Sequence, residues 1–340
     1  MMTRLPYGQL MMKRKMRMNN SWNLDSVLVD VKSVAIAGHV RPDGDCIGSC
    51  MGLYHYITDN YPEVAVNVFL EEIPSKFYYI EKADKVIKHV VTGAYEVDLF
   101  IAIDCGDKER LGFAGVLMER AKKTLNIDHH ISNTNFAETN WVKPDASAAC
   151  EILCEIMPEE RIGYNTAVAL FTGIIHDTGV FKHSNTTRAT FNAAGMLVSK
   201  GIPSTEIIND SFFQKTYIQN QILGRALLES VLFYDKKCIF TVVSQKDMDF
   251  YGVSSADLDG IVNQLVITEG VELAIFMYEV GLCQYKVSLR SNKYIDVSKV
   301  ASQFGGGGHV RAAGCMMHGK VHDVINSISN AITSQMGIDE

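Results

Sequence analysis

In the first two-thirds of the chain, apolar positions come in short continuous runs separated by stretches of helical periodicity. The runs SVAIAGH (33–39), VAVNVFL (64–70), LFIAID (99–104) and TLNID (124–128) predict short buried strands. Helical spacing of apolar residues covers about 48–58 and the segments 147–157, 165–176 and 188–200. Strands alternating with helices predict an α/β fold, a doubly wound, mainly parallel sheet covered on both faces. The pattern changes near residue 205. Residues 205–230 read as one long helix, followed by strands over 238–244, 272–280 and 284–291. A helix over 255–267 separates the first two of these strands, and a last helix spans 321–335. That succession predicts a second, smaller α+β domain.

Composition narrows the classes that fit. Of 340 residues, 47% are hydrophobic and 21% charged, which excludes a mainly disordered or fibrous chain. Lys and Arg total 32 against 39 Asp and Glu, a net charge of −7. Proteins that wrap long nucleic acid carry a basic excess, so a long-duplex binder is not expected. The 8 cysteines form no CxxC pair and read as reduced core thiols. No apolar run approaches the roughly 18 residues of a membrane span. The first twenty residues carry Arg4, Lys13, Arg14, Lys15 and Arg17 but lack the apolar stretch of a secretory signal. They read as a mobile basic arm, or as the product of a start codon upstream of Met12, Met16 or Met18. A cytoplasmic protein is expected, without membrane attachment.

Polar residues cluster where the predicted strands end. His39-x3-Asp43-x-Asp45 follows the first strand, Asp104 follows the third, and Asp128-His129-His130 closes the fourth. Asp177 ends an apolar helix, where a carboxylate opposes the helix dipole unless a cation is near. Each cluster also has an ordinary reading. Asp43 or Asp45 could cap a helix, Asp104 could do the same, and paired histidines occur on surfaces. His176 and His183 read as packing groups. Ligands of parallel sheets bind outside the carboxyl ends of the strands, so the clusters can converge. His39, Asp43, Asp45, Asp104, His129 and Asp177 offer more nitrogen and oxygen donors than one cation needs. A shared carboxylate would hold two cations about 3.5–4 Å apart, an arrangement suited to phosphoryl displacement.

A second feature is SQFGGGGHVRAAGC (302–315). Gly305, Gly306, Gly307 and Gly308 could be a linker. Alternatively, their backbone N–H groups approach an anionic group, with His309 or Arg311 completing the pocket.

With these residues in hand, the chain resembles the DHH phosphoesterases, named for the tripeptide that here is Asp128-His129-His130. The order HxxxDxD, IDCGD, DHH and HDTG matches the four family motifs. GGGGHVRAAG (305–314) matches the signature of a C-terminal domain found in one subfamily. The resemblance runs from about 30 to 335. It implies one cation held by His39, Asp43 and Asp104, and another by Asp45, Asp104, His129 and Asp177. Mn²⁺ is the implied metal, with Mg²⁺ or Co²⁺ as substitutes. Asp128 would orient a histidine, and His130 would contact the scissile phosphate. Arg290 in VSLRSN, and Arg110 in CGDKERLG, would grip substrate phosphate together with the glycine loop and His309.

The implied activity is hydrolysis, by hydroxide that the two cations supply. The implied substrates are short RNA oligonucleotides, cut to mononucleotides, and the 3′-phosphate of adenosine 3′,5′-bisphosphate (pAp), a nucleoside bisphosphate. Other members split pyrophosphate, polyphosphate, single-stranded DNA or cyclic dinucleotides and their linear products, and a non-catalytic nucleotide sensor could use the same fold. A homodimer is left open. The expected organisation is an arm over 1–20, a DHH catalytic domain over 21–204, a helical linker over 205–225 and a substrate-binding domain over 226–340.

Overall fold

A computed structural model describes residues 22–91, 95 and 97–336. The basic arm expected over 1–20 lies outside the described residues. Two compact units divide between Gln214 and Lys215.

The first unit is built on a five-stranded sheet in the order β2-β1-β3-β4-β5. Its strands are β1 (Ser33–Ala37), β2 (Ala65–Phe69), β3 (Leu99–Ile103), β4 (Lys123–Asp128) and β5 (Thr139–Val142). Every neighbouring pair is parallel. Alternate residues face opposite sides of a strand, so a sheet buried on both faces needs continuous apolar runs. Val34, Ile36, Leu99, Ile101 and Ile103 join one core. Ala35, Ala37, Phe100 and Ala102 join another on the reverse side. From β1 the sheet grows to β2 on one side and to β3 on the other. The carboxyl ends of β1 and β3 therefore flank the topological switch point, where parallel sheets open a crevice.

Four helices matter for that crevice: α1 (Gly44–Asn60), α2 (Ala149–Ile156), α3 (Tyr164–Asp177) and α4 (Arg188–Val198). Helix α1 begins four residues earlier than its periodicity predicts, because Asp43 caps it by accepting from the N–H groups of Asp45 and Cys46 at 3.1 Å each. Helices α1 and α3 meet at a glycine pair. A Cβ on Gly48 would lie 2.5 Å from Ala169 O and 2.8 Å from Gly173 N. A Cβ on Gly173 would lie 2.2 Å from Cys150 Sγ and 2.6 Å from Asp45 Oδ1. Close approach at this crossing is what brings the carboxylate of Asp45 beside the end of α3.

The segment expected as one linking helix is two pieces. Ser204–Ile208 continues into a wide turn over Asn209–Phe213 and stops at Gln214, whose backbone is extended. Thr216 then caps α5 (Tyr217–Leu228) in a reciprocal box with Gln219. Ile207 is buried in the first unit, whereas Ile222 and Ala226 are buried in the second.

The second unit carries a six-stranded mixed sheet in the order β10-β11-β9-β8-β7-β6. These strands are β6 (Val231–Phe233), β7 (Cys238–Val243), β8 (Leu273–Gly281), β9 (Gln284–Ser291), β10 (Gly307–His309) and β11 (Ala312–His318). Only β7 and β8 run parallel; the other neighbours are antiparallel. A short helix over Gln245–Tyr251 and helices α6 (Ile261–Val266), α7 (Val297–Ser302) and α8 (Val321–Met336) accompany it. Among the described residues, no helix is long and apolar enough to cross a membrane.

Candidate metal centre

The clustered polar residues come from five elements of the first unit. His39 follows β1, Asp43 and Asp45 open α1, Asp104 follows β3, His129 follows β4, and Asp177 ends α3. Asp104 has a φ of +53°, a left-handed backbone that Asp tolerates better than most residues and that is concentrated at functional sites. That turn places the carboxylate between two histidines. Asp104 Oδ2 lies 3.5 Å from His39 Nε2, and Asp104 Oδ1 lies 3.3 Å from His129 Nε2. His39 Nε2 is also 3.6 Å from Asp43 Oδ2. His129 Nε2 is 3.3 Å from Asp177 Oδ2 and 3.9 Å from Asp45 Oδ2. Asp43 is both a helix cap and a neighbour of His39, so its ordinary reading and its chemical one hold together.

These donors fit a divalent cation. Asp104 Oδ1 is buried and lacks a well-aligned hydrogen-bond donor, a costly condition for a carboxylate oxygen. His39 Nδ1 donates to Val40 O at 2.9 Å, which orients the ring and turns Nε2 toward the carboxylates. Three overlapping groups, His39–Cys46–Asp104, Asp104–His129–His130 and Asp45–His129–Asp177, have donor atoms close enough to hold an ion. Electrostatics agree. Burial acts to lower His39, but Asp104 and Asp43 outweigh it and raise its pKa to about 12. Burial likewise opposes His129, yet Asp104, Asp45 and Asp177 raise it to about 10. Burial and the neighbouring carboxylates push Asp45 and Asp177 above the usual range. So much negative charge in so small a space calls for positive charge.

The third residue of the tripeptide behaves differently from the second. His130 Nδ1 lies 2.7 Å from Asp128 Oδ1, while Asn133 Nδ2 donates to Asp128 Oδ2 at 2.5 Å. Burial acts to raise Asp128, but His130 and Asn133 overcome it and hold its carboxyl below its ordinary value. The histidine that Asp128 grips is therefore His130, not His129, and Nε2 is left as its free nitrogen. His176 is a packing residue. It lies between the rings of Phe77 and Phe212, bonds Ser211 Oγ at 3.1 Å, and is lowered to about 4 by burial and then by Lys76. His183 Nδ1 donates to the carbonyl of Asp177 at 3.2 Å. The backbone of Arg110 is fixed by Asp107 and Val40, and among the described residues no carboxylate pairs with its guanidinium.

In the second unit, sheet register relates the other sequence-predicted residues. Arg290 on β9 pairs with Ala312 on β11, and Ala312 pairs with His309 on β10. Cross-strand partners share a face, so Arg290 and His309 project from one side, two strands or roughly 10 Å apart. Only the methyl group of Ala312 stands between them in that row. Arg290 Nε donates to Asn263 Oδ1 and Nη1 to Leu289 O, both at 3.0 Å, which orients the guanidinium. Arg311 reaches to the turn after β9 instead, donating to the carbonyls of Ile295 at 2.9 Å and of Lys293. The glycines divide as well. Gly306 and Gly308 are required by packing, since a Cβ would come within 2.2 Å of Gly314 O and 2.4 Å of Ala312 O respectively. Gly305 and Gly307 would meet nothing within 4 Å.

Residues 33–174 match the DHH family, N-terminal domain, and residues 235–337 match the DHHA1 domain. The chain belongs to the DHH family. It is a hydrolytic phosphoesterase with the DHH domain ahead of the DHHA1 domain. It is similar to the bifunctional oligoribonuclease and PAP phosphatase NrnA of Thermus thermophilus, 29% identical over 295 residues and 84% of each chain. The protein of that name from Bacillus subtilis is 25% identical over 292 residues, covering 84% of this chain and 90% of the relative. An exopolyphosphatase-related protein from Bacteroides fragilis has the same fold, with a TM-score of 0.83 at 21% identity over 96% of this chain and 98% of that one.

Two contributors to the DHH domain site have weak sequence signals. Asn133, five residues after Asp128, also donates to Asn126 Oδ1 at 2.7 Å, and Asn126 in turn donates to the carbonyls of Ala102 and Cys105 beside Asp104. A buried Asn within an apolar strand run is the available clue. The other is helix α2, which begins at Ala148 without a side-chain cap. Ala is a poor cap, and the acceptor comes from elsewhere: Asp45 accepts from Ala149 N at 2.6 Å and Cys150 N at 3.1 Å.

Proposed function

We propose that this DHH phosphoesterase uses two Mn²⁺ ions to hydrolyse short oligoribonucleotides to mononucleotides and to remove the 3′-phosphate of pAp. The observation that carries this reading is Asp104, whose two carboxylate oxygens face two histidines from different halves of the donor set. Such a shared carboxylate suits a pair of cations better than one. When bound, the cations would supply Lewis acidity toward a phosphoryl oxygen and a nucleophile at neutral pH. His39, Asp43 and Asp104 would hold one, and Asp45, Asp104, His129 and Asp177 the other. The side chains do the rest. Asp128 holds the Nδ1 proton of His130, so that Nε2 can meet an oxygen of the scissile phosphate. Arg290, steadied by Asn263, is suited to a charge-assisted, forked bond with a non-reacting phosphate, and His309 shares its face. pAp and short RNA both carry phosphate groups of the kind that each of these sets of residues suits. Cysteines that are all unpaired favour a reducing compartment, the cytoplasm.

Initial rates with Mn²⁺ on pAp, a diribonucleotide, pApA, a cyclic dinucleotide and a long single strand test the assignment. The reading expects pAp or the diribonucleotide to be fastest and the long strand slowest. Fastest turnover of a cyclic dinucleotide would instead mark a phosphodiesterase of signalling nucleotides, and binding without turnover a sensor.

A further inference from the structure

Glu151 is a buried carboxylate in the first turn of α2 and stands outside the metal-facing set. Its Oε2 accepts from Ser147 Oγ at 2.6 Å, from Ser147 N at 3.3 Å and from Thr190 Oγ1 at 2.7 Å. No cation pairs with it among the described residues. Burying a carboxylate without a paired cation is costly, and its hydrogen bonds and the N-terminal turn of a helix offset only part of that cost.

What that geometry fixes is the start of α2 and the end of α3. Ser147 precedes Ala148, which gives the helix no side-chain cap of its own, and Glu151 holds both the N–H and the hydroxyl of Ser147. The two N–H groups that follow, of Ala149 and Cys150, are the donors to Asp45. The carbonyl of Ser147 accepts from Asn185 Nδ2 at 3.1 Å, and the same amide nitrogen donates to Asp177 O at 3.2 Å. Thr190 belongs to the capping box of α4 and ties that helix to the same carboxylate. One side chain thus braces the supports of two carboxylates, Asp45 and Asp177, that both face His129 Nε2.

We propose that Glu151 is a positioning residue that sets Asp45 and Asp177 around His129, and so governs one half of the metal centre and not the other. This rests on the two-cation reading above. Partners behind metal ligands typically change metal affinity by 10–100-fold when removed. The chain stripped of metal is titrated with Mn²⁺ alone by calorimetry, for wild type, Glu151→Ala, Glu151→Gln and Thr190→Val. Expected are two Mn²⁺ sites in wild type. Glu151→Ala should weaken one of them by about 10–100-fold and leave the other within about twofold. Glu151→Gln retains an acceptor and should fall between wild type and Glu151→Ala. Thr190→Val keeps volume and removes one donor, so it should weaken the same site even if Glu151→Ala fails to fold. Lower melting temperatures with both affinities unchanged would overturn the proposal, because Glu151 would then serve the fold alone. Equal weakening of both sites by Thr190→Val would also overturn it. A wild type that binds fewer than two ions would instead refute the two-cation reading, and the proposal with it.

Discussion

Gly173→Ala sets two physical effects against each other. Replacing a glycine inside a helix by alanine favours the helix by about 1 kcal/mol, and on that ground alone the variant should be more stable. The surroundings say otherwise. The new Cβ would sit 2.2 Å from Cys150 Sγ, 2.6 Å from Asp45 Oδ1 and 3.1 Å from Asp45 Cα, with Cys150 fully buried. Ordinary contact lies at 3.4–4 Å, at least 1.2 Å beyond the shortest of these, so α1 and α2 must move away from α3. Overpacking of this kind costs about 1–3 kcal/mol, and two contacts under 3.0 Å with the fully buried side chains of Cys150 and Asp45 place it toward the upper end. The net effect is a loss of about 1–2 kcal/mol, or roughly 2–8 °C in melting temperature at about 2–4 °C per kcal/mol for a unit of this size. Because Asp45 is among the displaced groups, Mn²⁺ binding at its half of the centre should weaken as well. Circular dichroism melts and calorimetric titration measure the two effects. Adding Cys150→Ala should restore part of the melting temperature, since the shortest contact is removed, but not the affinity. A Gly173→Ala protein that melts higher than wild type and binds both ions normally would refute the packing argument.

Asp104→Asn should abolish turnover and reduce bound Mn²⁺ while the fold persists, since Asn tolerates the left-handed backbone as well as Asp does; metal analysis and a melt check this. Mn²⁺ affinity should fall steadily as the pH is lowered below about 10. His39 and His129 have pKa values raised to about 12 and about 10, so binding must displace protons, and acid favours the protonated, metal-free ligands. Titrations in buffers of different ionisation enthalpy should show proton release on binding. Arg290→Ala should lower kcat/KM on pAp and dinucleotides by about ten- to two-hundredfold, matching ~1.5–3 kcal/mol for a charge-assisted bond. It should leave a small ester with one phosphate nearly unchanged, and equal losses on both would place Arg290 at the chemistry itself.

What the chain reveals before folding depends on how local each cause is. Asp104 is legible because a carboxylate closing an apolar strand run has few roles, and the parallel topology carries such ends to one rim. The His130–Asp128 bond joins residues two apart, within reach of a sequence reading, although which histidine Asp128 holds depends on the turn after β4. Strand β5 escapes notice because only Trp141 in TNWV is buried, too short a pattern for a period to register. The cap that Asp45 gives to α2 spans 104 positions and has no local signature beyond the missing cap at Ala148. The break at Gln214 is hidden because helical periodicity persists on both sides while the two halves join different cores. Gly306 and Gly308 show how a motif can carry a structural demand, close backbone approach to β11, inside a segment that reads as a ligand loop.

Anomalous diffraction at the manganese edge from crystals of the Mn²⁺-loaded protein tests the central claim most directly. Two peaks about 3.5–4 Å apart are expected, with one oxygen of Asp104 toward each, His39 on one side and His129 on the other. A single peak, or two peaks of which one makes no contact with Asp104, would contradict the shared-carboxylate centre.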